Sequence, residues 1–187
     1  MSFPITTLIA LIAYFLSRAV LKSSKQIYIG LFLALLLIVS FMISSKGISI
    51  LGLHVAATSF SIVILIVTFF ETTLLERHIT KIKKGEIGSN VKSVEREYNE
   101  IFILIGFGLG GIVLSLISGL LVLGELDMEL IFKIVFTGFA LIIYMLTFLG
   151  VKYANLKVRY AVRGIILSFA MVLLAYFGNT IFLINYL

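Results

Sequence analysis

The chain is 187 residues long, 61% apolar and 13% charged, with no Cys and no Trp. That composition excludes an ordinary soluble domain and leaves room for one compact domain only. Lack of Cys excludes disulfides, thiolate metal sites and covalent attachment of haem to this chain. The net charge of +6 comes without any basic–aromatic nucleic-acid motif.

Six apolar segments follow one another at approximately 4–21, 27–44, 50–75, 101–123, 130–151 and 164–184. Each is near or above the ~17–25 residues an α-helix needs to cross a bilayer's hydrocarbon core. They predict an all-α polytopic membrane protein, a six-transmembrane-helix bundle forming a single domain over 1–187. The first segment reads as a retained span rather than a cleaved signal peptide. Arg18 and Lys22 follow its apolar run instead of preceding it, and no A-x-A-like site is evident. Pro4 suits the first turn of that helix, where a missing N–H is harmless.

Charge then predicts orientation. Thirteen of the fifteen Lys and Arg residues lie beside alternate gaps between the spans. They are Arg18, Lys22 and Lys25, then Arg77, Lys81, Lys83, Lys84, Lys92 and Arg96, then Lys152, Lys157, Arg159 and Arg163. Only Lys46 and Lys133 belong to the other side. Short loops rich in Lys and Arg stay cytoplasmic, so both termini are expected on the outer, periplasmic side of a bacterial inner membrane. Residues 76–100 are the one long connection, a predicted cytoplasmic loop. Gly85, Gly88, Ser89 and Asn90 interrupt it, and Val91 to Glu100 can restart a helix feeding the fourth span. The outer connections, Ser45–Ser49 and Gly124–Glu129, are too short to form a domain.

Ionisable residues within spans are few. Arg18 and Lys133 lie near span ends and can snorkel. Glu71 follows Val67-Thr68-Phe69-Phe70 and reads as an interfacial or helix-packing carboxylate, since no acid or base at similar depth completes a proton relay. It lies about 25 Å from His54 along a helix, too far to share a site. His54, in Leu51-Gly52-Leu53-His54-Val55, opens the third span at its outward end. A helix start accommodates neutral imidazole better than imidazolium, and neutral imidazole is what an axial haem ligand requires. The plainer alternative is an interfacial histidine bonded to water or to a neighbouring helix, because one histidine lacks metal-ligand spacing. His78 belongs to the cytoplasmic loop and cannot join it.

In the fourth span, Gly106, Phe107, Gly108, Leu109, Gly110 and Gly111 superficially match a dinucleotide-binding run, but no strand precedes them. Gly106 and Gly110 instead form a G-x-x-x-G pair, and Gly111, Ser115 and Gly119 repeat small residues every four positions. Together they predict a helix-packing face, used within the chain or, alternatively, in a homodimer. Lys157 and Arg159, with Lys152 and Arg163, can contact anionic lipid or haem propionates, although the positive-inside signal alone accounts for them. Asn179 reads as satisfied by an interhelical hydrogen bond, and Tyr176 and Phe177 as packing residues.

Leu53-His54-Val55, followed by Thr58, Phe60 and Ser61, resembles the opening of the histidine-bearing core helix of the cytochrome c assembly membrane-protein family. Ser93-Val94-Glu95-Arg96 leading to Ile105-Gly106-Phe107 and then Ser118-Gly119 resembles that family's next segment. Lys157, Arg159 and Ala175-Tyr176-Phe177-Gly178 resemble its close. The family includes CcsA, CcmC and HemX types, and the chain is most similar to the YpjD-like branch, over about residues 50–187. Where that branch commonly reads G-W-R-G-R, this chain has Asn155, Leu156, Lys157, Val158 and Arg159, keeping two cations and losing the Trp and both Gly. The Trp-rich segment of several branches is also absent, and YpjD-like proteins tend to have more spans.

The resemblance implies haem handling at the outer membrane face, with His54 as axial ligand to a non-covalent haem b and cytochrome c maturation components as partners. Two other readings stand beside it: a cofactor-free membrane scaffold acting through protein partners, and a small transporter. The transporter has least support, because the chain shows no broken helices or paired repeats. Independent enzyme activity is not expected, since no nucleophile–base pair, carboxylate pair or phosphate loop occurs in a credible setting.

Overall fold

A computed structural model describes residues 3–20, 26–46, 49–85, 94–122, 128–154 and 156–184. They form six helices: α1 (Phe3–Val20), α2 (Gln26–Lys46), α3 (Ile50–Lys83), α4 (Val94–Val122), α5 (Met128–Tyr153) and α6 (Val158–Ile184). There is no strand among the described residues. Four apolar stretches are long enough to cross a membrane: Ile50–Lys83, Val94–Leu121, Ile131–Tyr153 and Val158–Ala175. The corresponding stretches of α1 and α2, Ile5–Ala19 and Ile27–Ile43, are shorter.

Polarity in these helices is inverted relative to a soluble protein. Thr58, Ser61, Thr68, Ser115, Ser118 and Ser168 are buried, while Leu8, Phe32, Leu114, Leu121, Phe139 and Leu146 are exposed. In water, so much exposed apolar surface would be untenable. In lipid, apolar side chains face outward at no cost, and hydroxyls turn inward to find partners. The chain is an α-helical membrane protein.

The long connection is shorter than the sequence suggests, because α3 continues to Lys83 and α4 already begins at Val94. Residues 76–83 are polar but contain neither Gly nor Pro, so lost hydropathy does not stop the helix. Gly85 does, at φ 79°, with Lys84 N bonded to Thr80 O and Gly85 N to Ile82 O. At ~1.5 Å per residue the 34 residues of α3 span about 51 Å against a hydrocarbon core of about 30 Å, so its charged end projects beyond the core. Gly88, Ser89, Asn90 and Lys92 lie outside the described residues, as do Lys22, Lys25, Gly124, Glu125, Asp127 and Asn155.

Contacts divide the chain into two units, Met1–Ile64 with Gly111–Leu126, and Leu65–Gly110 with Asp127–Leu187. In the first unit, α1 and α2 pair through buried Ala10, Tyr14, Ala34 and Ile38. Gly30 makes this approach possible, because a Cβ there would stand 2.6 Å from Ser17 Oγ and 2.8 Å from the Tyr14 ring. In the second unit, α4 meets α5 along Tyr98 to Val151, Phe102 stacked on Phe148 (centroids 4.8 Å apart), and Gly108 against Tyr144. α5 meets α6 where Gly164 faces Thr147 and where Ser168 Oγ donates to Ala140 O at 2.9 Å.

Candidate functional site

The site is a polar seam inside the first unit, between the start of α3 and the end of α4. Ser49 caps α3: its carbonyl accepts from Leu53 N at 2.9 Å and its hydroxyl from Gly52 N at 3.1 Å. That fixes the helix phase, and His54, Thr58 and Ser61 then recur at i, i+4 and i+7 on one face. Gly111, Ser115, Ser118 and Gly119 line the buried face of α4. Running antiparallel, the two faces meet rung by rung. His54 Nδ1 lies 3.1 Å from Ser118 Oγ, Thr58 Oγ1 lies 2.7 Å from Ser115 Oγ, and Gly111 sits over Ser61.

The Ser118 contact is compatible with either histidine tautomer. Ser118 Oγ can donate its single hydrogen to Ser115 O at 3.1 Å. With its hydrogen there it accepts from His54 Nδ1–H, and in that tautomer Nε2 carries the lone pair; in the other tautomer the serine donates to Nδ1. The ring rests close on α4, since a Cβ at Gly119 would stand 3.1 Å from its Cε1 and the ring would have to shift to admit it. Ser61 returns its hydroxyl to Ala57 O at 2.7 Å, leaving room for Gly111.

The predicted packing residues divide. Gly111, Ser115 and Gly119 all face α3. Gly106 and Gly110 do not continue that face: Gly106 is half-buried with Phe148 as its neighbour, and Gly110 is exposed with nothing within 4 Å of an added Cβ. Gly108, between them, is buried against Tyr144. The G-x-x-x-G pair lies off the buried face of α4, which follows Leu104, Ile105, Gly108, Gly111, Ile112, Ser115 and Ser118, a different rotation of the helix. Ser118, Thr58 and Ser61 complete the seam, and their signal in the sequence is that α3 hydroxyls repeat at the spacing of the α4 small residues.

Other candidates lie apart. Lys157 and Arg159 are exposed at the α5–α6 turn of the second unit. Glu71 is buried, at 7% exposure, on the same continuous helix as His54 but in the second unit. The side chains of Lys46, Tyr176, Phe177 and Asn179 lie outside the described residues. Among the described residues no group of three or more His, Cys, Asp or Glu side chains gathers as a metal site.

The donor arrangement fits one axial bond to haem iron. A ligating histidine ordinarily donates its other N–H to a fixed acceptor, which sets tautomer and ring orientation, and Ser118 occupies that position. No family model, curated protein or solved structure matches this chain.

Proposed function

We propose that this is a six-span, multi-pass protein of the bacterial inner membrane, with both termini outward, acting as a haem-handling accessory factor in cytochrome c assembly. His54 is the axial ligand through Nε2. The observation that carries the reading is the Nδ1–Ser118 contact at the start of α3, which in the Nδ1–H tautomer orients the ring for ligation through the second nitrogen. Bound there, haem b would be held without covalent attachment, as cargo or as a one-electron centre. Ser118 orients the ring, Gly119 lets it lie close to α4, and the Thr58–Ser115 bond holds the register of the two helices. The partners are membrane lipid and cytochrome c maturation components, and the chain acts as an accessory rather than as an enzyme. Gly110, on the open side of α4, is the position available to a second copy in a homodimer.

A second reading, a cofactor-free scaffold, is favoured by the same seam, because His54 bridges two helices and so can serve packing alone. Spectra separate them. The protein is expressed in haem-replete bacteria, purified in mild detergent, and compared with His54→Ala by reduced-minus-oxidised and pyridine-haem spectra. Stoichiometric haem that is lost in a folded His54→Ala protein is the expected result. A folded protein without haem in either form leaves the scaffold.

A further inference from the structure

Lys152, Lys157, Arg159 and Arg163 fall within twelve consecutive positions at and beside the α5–α6 turn, and all four are exposed. Tyr153 and Tyr160 beside them are 71% and 52% exposed. Lys152 Nζ lies 5.0 Å from the Tyr153 ring centre, and Arg163 Cζ lies 5.9 Å from that of Tyr160. None of the four cations meets a carboxylate among the described residues. Nor can this hairpin supply one, because the sequence holds no Asp or Glu after Glu129. On α4, Glu97 is engaged by His78 at 2.8 Å and Glu100 by Arg96 at 3.3 Å. Glu76 and Glu95 pair with none of the four.

The backbone carrying this charge is pinned. Tyr98 Oη donates to Val151 O at 3.2 Å, and Gly150 O accepts from Ala154 N at 3.1 Å and Leu156 N at 3.0 Å. The backbone here needs no further ordering when a ligand binds, which removes that part of the cost. Along the same two helices, Met145, Leu146, Ile166 and Leu167 continue as exposed apolar surface. An occupant that satisfies both regions is anionic at one end and apolar at the other. Tyrosines with apolar rings and polar tips belong at that boundary.

We propose that the α5–α6 turn binds an anionic phospholipid, its phosphate held by Lys152, Lys157, Arg159 and Arg163, its glycerol region beside Tyr153 and Tyr160, and its chains along the apolar surface below. The proposal rests on the membrane-spanning reading above. Positive-inside sorting explains why these cations lie on one side, but not the lack of carboxylate partners among the described residues or the exposed tyrosines.

The test titrates detergent-solubilised protein with phosphatidylglycerol or phosphatidylcholine and counts bound lipids by native mass spectrometry. One variant changes Lys152, Lys157, Arg159 and Arg163 to Gln. A charge-matched control changes Arg77, Lys81, Lys83 and Lys84 to Gln. The wild type is expected to prefer phosphatidylglycerol by at least about fivefold, the effect of a single surface cation on an anionic headgroup. The preference should vanish in the turn variant and persist in the control. Equal binding of both lipids by the wild type, or equal losses in both variants, overturns the site. Carbonate washing of membranes keeps the two readings apart. If wild-type protein is released, the membrane-spanning reading fails and the lipid site falls with it; if it is retained, the lipid counts decide.

Discussion

His54 and Ser118 are 64 residues apart in sequence and 3.1 Å apart at Nδ1 and Oγ, and the same hydroxyl lies 3.1 Å from Ser115 O. In the ligating tautomer serine accepts, imidazole donates at Nδ1, and the remaining nitrogen is the electron-pair donor. Ser118→Ala should therefore weaken haem binding by roughly 10–100-fold while leaving the ligand in place, and Ser118→Thr should recover most of it. Absorbance titration with haem checks this. An unchanged affinity in Ser118→Ala would mean that the serine does not orient the ligand.

Neighbouring glycines on α4 should behave oppositely. A Cβ at Gly111 meets Ser61 Oγ at 2.9 Å and Ser61 Cα at 3.4 Å, whereas one at Gly110 meets nothing within 4 Å. Gly111→Val is expected to destabilise by about 1–3 kcal/mol through overpacking against backbone. Gly110→Ala should be neutral or up to about 1 kcal/mol stabilising, by helix propensity. Unfolding curves in mixed micelles rank the two, and the reverse order would show that α4 is rotated from the arrangement described.

The second unit offers a paired test. A Cβ at Gly108 would lie 2.5 Å from Tyr144 Oη and 2.9 Å from two ring carbons. Tyr144 is fully buried beside Thr68, and its hydroxyl completes no hydrogen bond of good geometry. Gly108→Ala should thus cost about 1–3 kcal/mol. Tyr144→Phe should cost little alone and recover part of that loss when combined with it. Strict additivity of the two changes would refute the contact.

The Thr58–Ser115 rung is a bond between two hydroxyls at 2.7 Å. A double-mutant cycle with Thr58→Val and Ser115→Ala should give a coupling of about 0.6 kcal/mol, not above about 1.7. Zero coupling would indicate that each hydroxyl finds an equivalent partner when the other is removed.

The absence of Cys makes orientation directly testable, because single introduced cysteines have no background. Lys81→Cys and Lys157→Cys should react with an impermeant maleimide only after the cells are opened. Ser49→Cys should react in intact spheroplasts. Labelling of all three from one side would overturn the six-span topology.

Sequence reading reached the helices because each is an uninterrupted apolar run, and it misjudged their ends where hydropathy and helicity part company. Residues 76–83 are polar yet helical, and Gly85 stops them through backbone conformation. The spacing of Gly111, Ser115 and Gly119 was legible as a packing stripe. Its partner was not, since periodicity along one helix says which residues share a face and not which helix they meet. The same gap explains the G-x-x-x-G pair: the motif is real in sequence, but Gly108 is buried against Tyr144 and Gly110 is open. His54 was found as the histidine opening a span, whereas its partner depends on α4 returning antiparallel beside it.

The first unit is assembled from two stretches separated by residues 65–110, so a ribosome cannot deliver it in one piece. In the six-span reading α1, α2 and the opening turns of α3 enter the bilayer first, and His54 and Thr58 then wait for the hydroxyls of Ser118 and Ser115, not yet made. Buried polar groups without partners are costly in hydrocarbon, so water, lipid headgroups or an insertion chaperone must serve them meanwhile. The expected consequence is a window of vulnerability during synthesis. In pulse–chase experiments, chains stopped after Glu100 should be degraded faster than chains stopped after Val122, and equal lifetimes would show that the late half of α4 is not needed to close the unit.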